Sequence, residues 1–481
     1  MSRREYDNPS FSRRSVVSLL GVTRVRIALY NEGSYPYRSG AAGTWSHRLV
    51  RGLDEHAFWL VGLVDGAPAP RYPLSANVAL LRTVPVSGPA VGPTRAAEQR
   101  QHARLATHAA VLLCRGMLDD SAHSTAMFRS GLRRLAGLAA GGTHPLHGVP
   151  LGAVLLDAWR ATVDPHLPRP TLQDVEVAAA ALESAVRALA APVPDVDVGH
   201  CVHSGRPVLL ALAGKWRDGI PYVLTEHDVY LTDPLLDRYT TLPAVRAVLV
   251  RFLRALTRVG YAEASAIAPP GERMFRWALH HDADRGRITV IPPGVDPTEH
   301  PPLRDEPGEP VLAWLGEPAE LAFGLEAFAL TRRSVPQARL IVVGPAPDGG
   351  QWPDRVAFSG PVTGYRAMFA KASVLAISGT HGGMPYPLIE AMLCGRPTVC
   401  TDPGGLAATV GIGGQTVPPG DPVRLAAACA TLLTDARLRR ELGTAARTRA
   451  RTLFRLGAML DSYRELYEKA HAQRDDMALA P

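Results

Sequence analysis

Residues 378–405 read SGTHGGMPYPLIEAMLCGRPTVCTDPGG, and the rest of the chain is best understood from this stretch. Gly382 and Gly383 can take backbone shapes closed to other residues, and Pro385 and Pro387 suit a helix entrance, where a missing N–H costs nothing. Leu388–Leu393 then predicts one or two helical turns, ended by Gly395. Thr398–Thr401 predicts a buried strand. Asp402-Pro403-Gly404-Gly405 turns the chain at that strand's carboxyl end, which is where open α/β sheets bind ligands. A helix amino terminus beside a glycine turn suits a diphosphate, because free N–H groups and the helix dipole both face the anion. Glu390, three residues after Pro387, is placed to accept hydrogen bonds from a ribose or a sugar. The same pattern also fits an ordinary βα unit that holds no ligand.

Outward from this segment the chain alternates short apolar strands with helical stretches, the pattern of parallel sheets. At 481 residues it exceeds what one core usually supports, so two Rossmann-like α/β domains are expected. The first spans 24–300, the second 308–455, and a final helix spans 456–472. Residues 1–23 read as a mobile basic, serine-rich tail. Arg24–Tyr30 and Phe58–Val64 are expected strands around a helix from Thr44 to Leu53. Residues 68–191, with a helical stretch at 95–140, read as a helical insertion in the first domain, covering an acceptor or serving as padding. Tyr222–Thr225 is a strand that delivers Glu226 and His227 to its carboxyl end, and Ile288–Ile291 is the last strand expected before the linker at 300–310.

Hydrophobic residues make up 46% and charged residues 20%, the balance of a soluble globular protein. The formal charge of +7 comes from arginines spread along the chain. Aromatic interleaving of the kind that binds nucleic acid is missing, so the charge suits anionic nucleotides, a membrane surface, or simply a solvated arginine face. The five cysteines, Cys114, Cys201, Cys394, Cys400 and Cys429, have neither disulfide-framework nor zinc spacing, which fits a reducing compartment. Val16–Val22 is too short for a span and lacks a cleavage site, so a cytoplasmic location is expected, with peripheral attachment to the inner membrane face left open. No P-loop lysine, Gly-x-Ser-x-Gly elbow or zinc signature is present, which argues against NTPase, hydrolase and zinc-enzyme chemistry. Asp195-Val196-Asp197 and Asp282-Ala283-Asp284 have a metal-binding form but lie in a proline-flanked linker and before a turn, so no metal is expected.

The order Gly-x-Pro-x-x-x-x-Glu-Ala-Met-x-x-Gly-x-Pro-x-Val from Gly383 to Val399, followed by Gly404-Gly405, resembles the donor site of retaining family-four glycosyltransferases of GT-B fold. Glu32-Gly33-Ser34-Tyr35-Pro36-Tyr37, with Gly40 and Trp45-Ser46-His47, and the later run Thr225-Glu226-His227, are similar to PelF-like glycosyltransferases of Pel exopolysaccharide synthesis. The resemblance implies a hexose moved with retention from a UDP-sugar to a polysaccharide or similar acceptor. The nucleotide sugar is then a substrate, and neither a cofactor nor a metal is needed. It implies His227 and Glu390 as catalytic residues. It assigns donor binding to Gly40, Gly383, Met384, Pro385, Pro387, Leu388, Glu390, Gly404 and Gly405. Expected partners are the nucleotide sugar, a glycan acceptor and membrane-associated polysaccharide-synthesis proteins, with no nucleic acid.

The pattern departs from the family in four places. Gly382 stands where a first donor-loop glutamate is usual. No arginine or lysine lies between Val311 and Leu330, where the family neutralises the leaving diphosphate; Glu317, Glu320 and Glu326 lie there instead. Ala407 and Ala408 occupy the neighbourhood of a further glutamate, and Ala41 replaces the second glycine of a pair. Stabilising the departing charge usually accelerates such a reaction more than any other single effect, so these losses open a second reading. In it the protein is a catalytically degenerate relative that binds a nucleotide sugar or a partner protein as a scaffold in exopolysaccharide assembly. Arg273, Arg276, Arg366 and Lys371 are the candidates to supply the missing charge from elsewhere.

Overall fold

The computed structural model describes residues 6–7, 24–66, 68–88, 92–93, 95–119, 121, 123–227, 229–232, 234–303, 305–316, 318–360, 364–378, 385–402 and 405–479. The expected tail at 1–23 lies outside these residues except for Tyr6–Asp7. The chain divides into two compact units, one of residues 1–270, 274–290 and 462–481, the other of 271–273 and 291–461.

The first unit contains β1 (Tyr6–Asp7), β2 (Arg26–Asn31), α1 (Ala41–Gly52), β3 (Ala57–Leu63) and β4 (Val78–Val84). Four helices follow: α2 (Ala96–Leu118), α3 (Ser124–Leu138), α4 (Leu151–Ala161) and α5 (Leu172–Val186). The α/β pattern resumes with β5 (Val198–Cys201), α6 (Pro207–Asp218), β6 (Tyr222–Thr225), α7 (Pro234–Asp237), α8 (Pro243–Glu263), β7 (Ala266–Ala268) and α9 (Glu272–His280), of which Glu272 and Arg273 belong to the second unit. The sheet order is β1-β4-β3-β2-β5-β6-β7, all parallel except β1. Strands β5 and β6 are buried along their whole length, as expected of parallel strands covered by helices on both faces.

Three expectations change. The stretch 68–191 is not wholly helical: β4 sits in it, next to β3, because Val78–Val84 offers an apolar strand between proline-rich flanks. In place of one helix over 95–140 there are two, α2 ending at Leu118 and α3 starting at Ser124, and they pack at glycines. A Cβ on Gly116 would lie 2.4 Å from the Phe128 nitrogen, and one on Gly131 would lie 2.7 Å from the Leu113 nitrogen. Ile288–Ile291 forms no strand, only one bridge from Ile288 to Ile267, since Pro292 and Pro293 bring no N–H to extend a ladder.

The second unit contains β8 (Val311–Leu315), α10 (Leu321–Ser334), β9 (Arg339–Val342), β10 (Val356–Phe358), α11 (Arg366–Ala370) and β11 (Val374–Ile377). Next come α12 (Tyr386–Leu393), β12 (Thr398–Thr401), α13 (Leu406–Val410), β13 (Gly414–Val417), α14 (Pro422–Thr434) and α15 (Ala436–Leu453). Helix α16 (Leu456–Leu479) ends the fold, and its residues from Ser462 belong to the first unit. The sheet is parallel throughout, in the order β10-β9-β8-β11-β12-β13.

Leaving β1 aside, both sheets have the doubly wound order of Rossmann-like domains, with a switch point between β2 and β5 in one and between β8 and β11 in the other. The crevice at a switch point opens at the carboxyl ends of the strands. The loops after β2, β5 and β6, and those after β8, β11 and β12, are therefore where a ligand is expected in each unit.

Candidate functional site

In the first unit, β6 carries His227 just past its carboxyl end. Its side chain is buried and its ring meets Trp45 of α1 edge-on at 4.4 Å between centroids. Among the described residues neither ring nitrogen has a hydrogen-bond partner, and the buried Trp45 N–H also has none. Burial, reinforced by His203 and His200, pulls the His227 pKa well below its usual value, so the imidazole is neutral at physiological pH. A neutral ring with two unsatisfied nitrogens can give one hydrogen bond and accept another.

The surroundings of His227 are fixed by a polar network. Glu226 accepts from the Ser204 N–H at 3.2 Å and from the Tyr261 hydroxyl. His200 lies between the Tyr467 hydroxyl at 2.6 Å and Thr225 Oγ1 at 2.8 Å, and Thr225 also meets the Tyr463 hydroxyl at 2.8 Å. Burial lowers the His200 pKa to about 3. Tyr463 and Tyr467, in the first half of α16, thus tie that helix to β5 and β6 next to His227. Sequence reading missed this network, because its members lie up to 267 residues apart.

The loop after β2 is held by Asn31, whose amide donates to the Tyr35 carbonyl at 2.8 Å while its oxygen accepts from the Ser34 N–H at 3.1 Å. Glu32 pairs with Arg206. Gly40 starts α1 with φ of 143°, a conformation few other residues adopt. Among the described residues no side chain caps that helix, and no acid sits in its first turn.

In the second unit, Pro385 is the N-cap of α12 and Pro387 its second residue, so both prolines stand where no helical N–H is required. Leu388 is fully buried and Glu390 is 7% exposed, with the His300 Nε2 at 4.0 Å from its carboxylate. Glu390 also contributes to raising the pKa of Tyr365, after burial, so the two groups are electrostatic neighbours. Gly383, Met384 and Gly404 lie outside the described residues.

Gly405 introduces a feature the sequence did not reveal. Its N–H and that of Leu406 both donate to Asp402 Oδ1, at 2.5 and 2.9 Å. The chain's own carboxylate therefore occupies the amino terminus of α13, in the Gly404-Gly405 loop expected to hold the nucleotide sugar, while the diphosphate was expected at the amino terminus of α12. Arg273 lies against the same turn: its Cβ and Cδ are both 3.9 Å from where a Cβ on Gly405 would sit. The Arg273 guanidinium makes no ion pair or hydrogen bond with another described residue. After β8, in place of the family's cations, Glu320 accepts a hydrogen bond of 3.1 Å from Ser378 Oγ at the end of β11.

The two Asp-x-Asp pairs are engaged elsewhere. Asp195 and Asp197 bind Arg26 at 2.9 and 2.7 Å, Asp282 meets Arg258 at 3.2 Å, and Asp284 accepts from the Gly286 N–H at 2.9 Å. All five cysteines are free and buried. Among the described residues no helix is long and apolar enough to cross a membrane.

Residues 25–286 match the family model described as domain of unknown function (DUF3492), and residues 309–435 match that of glycosyl transferases group 1. A D-inositol 3-phosphate glycosyltransferase of Segniliparus rotundus is 30% identical over 195 residues, 34% of this chain. The match spans only 43% of that relative's length. Among solved structures, sucrose-phosphate synthase of Thermosynechococcus elongatus superposes with a TM-score of 0.59 at 16% identity, over 94% of this chain and 100% of the other. Anabaena Alr3699/HepE in complex with UDP and glucose superposes at 0.53 and 15% identity, over 92% and 99% of the two chains. At such identities the likeness speaks to fold, and the fold is GT-B, with two Rossmann-like domains. With one model covering more than half of its length and the other following it, the chain belongs to the DUF3492 family and carries a glycosyl transferases group 1 segment in its second half.

Proposed function

We propose that this protein is a glycosyltransferase, PelF-like, that moves a hexose from a UDP-sugar with retention to a polysaccharide or similar acceptor. The observation that carries the reading is Glu390, a buried carboxylate on a proline-started helix at the carboxyl end of a Rossmann-like sheet, within the glycosyl transferases group 1 match. A carboxylate so placed accepts hydrogen bonds from a ribose or sugar diol and discriminates against ligands that lack one. In this reading Pro385, Pro387 and Leu388 set the approach of α12, and Arg273 beside Gly405 supplies cationic charge to the diphosphate. His227, neutral and unsatisfied, orients the donor sugar. Retention follows from attack on the face the leaving diphosphate vacates, assisted by a donor phosphate oxygen, so no carboxylate nucleophile is required.

Two observations favour a second reading, a catalytically degenerate protein that binds a nucleotide sugar as a scaffold. Asp402 holds N–H groups of the glycine loop assigned to the nucleotide sugar, and Glu320 stands where a cation is usual. Calorimetry with UDP-glucose and UDP-GlcNAc, paired with donor hydrolysis, separates the two. Turnover lost in Glu390→Ala supports the enzyme, and tight binding without turnover supports the scaffold. Losing a charged hydrogen bond costs about 1.5–3 kcal/mol, so Glu390→Ala is expected to weaken donor binding roughly 10- to 150-fold. Absence of binding by any nucleotide sugar would remove both readings.

A further inference from the structure

On the second unit, one face of α15 lines an open groove of about 900 Å³ that lies among residues with no assigned role. Among the described residues six arginines line it, Arg396, Arg439, Arg440, Arg447, Arg451 and Arg455, against one acid, Glu306. Glu306 is already bound by Arg439 at 2.6 Å, and Arg396 donates to the Phe369 and Asp305 carbonyls. Arg440, Arg451 and Arg455 are exposed, and their guanidinium groups make no ion pair or hydrogen bond with another described residue. Arg447 is held to the His300 and Leu393 carbonyls, and its pKa is lowered by burial first and then by the Arg451 charge. The groove therefore carries several positive charges without counterions among the described residues.

Its shape and its other side chains restrict the occupant. From Arg440 to Arg451 the helix rises roughly 16 Å, the reach of an extended chain rather than of a single small anion. The groove is concave, which a flat bilayer does not fill. No aromatic side chain is among its described lining residues, so the stacking platform that single-stranded nucleic acids use is missing. Thr444, Thr448 and Thr452 alternate with the arginines, and each hydroxyl donates to the carbonyl four residues back, at 2.8, 3.0 and 3.0 Å. Their oxygens are thereby left as acceptors, suited to a ligand rich in hydroxyl donors. Guanidinium forks suit carboxylates.

We propose that this groove binds an acidic polysaccharide, holding its carboxylates on Arg440, Arg447, Arg451 and Arg455 and its hydroxyls on the intervening threonines. The choice of a glycan rests on the glycosyltransferase reading; the anionic character rests on the groove alone.

The test uses the full-length protein and fluorescence anisotropy with end-labelled oligogalacturonate. Binding that weakens with added salt is expected, and the methyl-esterified oligosaccharide should not bind. The triple variant Arg440→Glu/Arg451→Glu/Arg455→Glu, at exposed positions, should weaken binding about tenfold or more. Arg437→Glu, outside the groove on the same helix, should leave it unchanged. Equal loss in Arg437→Glu, an unaffected triple variant, or no binding of oligogalacturonate would overturn the proposal. Tighter binding of phosphatidylglycerol vesicles or polyphosphate, removed by the same triple variant, would also overturn it in favour of a lipid surface or a phosphate polymer. UDP-glucose binding measured on the same variants keeps the two readings apart. Its absence beside intact galacturonate binding would sink the transferase, and its presence without galacturonate binding would sink only the groove.

Discussion

Asp402→Asn probes the one contact that sets the two functional readings against each other. The carboxylate takes two backbone N–H groups, of Gly405 and Leu406, and places a negative charge on the turn assigned to the nucleotide sugar. Asparagine keeps an oxygen for the cap and drops the charge. Losing the cap altogether, as in Asp402→Ala, costs about 1 kcal/mol, which lowers the melting temperature by roughly 2–4 °C in a domain of this size. Asp402→Asn should melt close to the parent. A unit charge roughly 6 Å from another, at an effective dielectric constant near 20, interacts by about 2.8 kcal/mol before salt screening. Removing Asp402's charge should therefore tighten UDP binding by about tenfold or more, with the gain shrinking as salt rises. Isothermal titration of parent and variant with UDP, alongside thermal melts, reads both effects. If Asp402→Asn folds normally and binds UDP no better, or less well, the diphosphate does not sit at this turn and the assignment of Gly405 falls.

Arg273→Ala should lower donor affinity or turnover by a factor of about 10 to 1,000, the range for losing one cation at a leaving diphosphate; an unchanged kcat/KM would return that role to Arg366 or Lys371. Acid titration tests His200. Its folded pKa of about 3 lies below the unfolded value, so its stabilising effect is complete above pH 6.5 and is lost as pH falls toward 3. The loss is about 1.4 kcal/mol per pH unit across that window, so urea denaturation of His200→Gln should show a correspondingly flatter pH dependence, and an identical slope would refute the account. Gly131→Ala forces a methyl to 2.7 Å from a backbone nitrogen of α2 and should cost about 1–3 kcal/mol, read as a lower urea midpoint with unchanged m.

Much of the architecture was legible because it rests on local patterns. Apolar tetrads such as Tyr222–Thr225 and Val374–Ile377, separated by helical stretches, can only be buried parallel strands, and both form. Strand β13, Gly-Gln-Thr-Val, is not legible, because a short, half-buried edge strand carries almost no periodic signal. Glu390 stands out because glycine and proline spacing around a helix start is itself a local constraint. The partners that decide its surroundings do not. Asp402 hydrogen-bonds across only three or four residues, but whether it caps its own turn or leaves it open depends on the backbone path. Arg273 reaches Gly405 from 132 positions earlier in the chain. The groove on α15 is the same case: the sequence shows a basic helix, while which arginines are neutralised by Glu306 or by carbonyls and which are left bare depends on packing.

By itself, then, the sequence determined the class of fold, the alternation of its elements and the places of Glu390 on a proline-started helix and of His227 just past a strand, since these follow from residue periodicity and from what glycine and proline permit. Only the tertiary structure decided which of those groups are buried and unsatisfied, which N–H groups are already taken and which charges lack a partner. Those properties depend on atoms brought within a few ångströms of each other from distant parts of the chain.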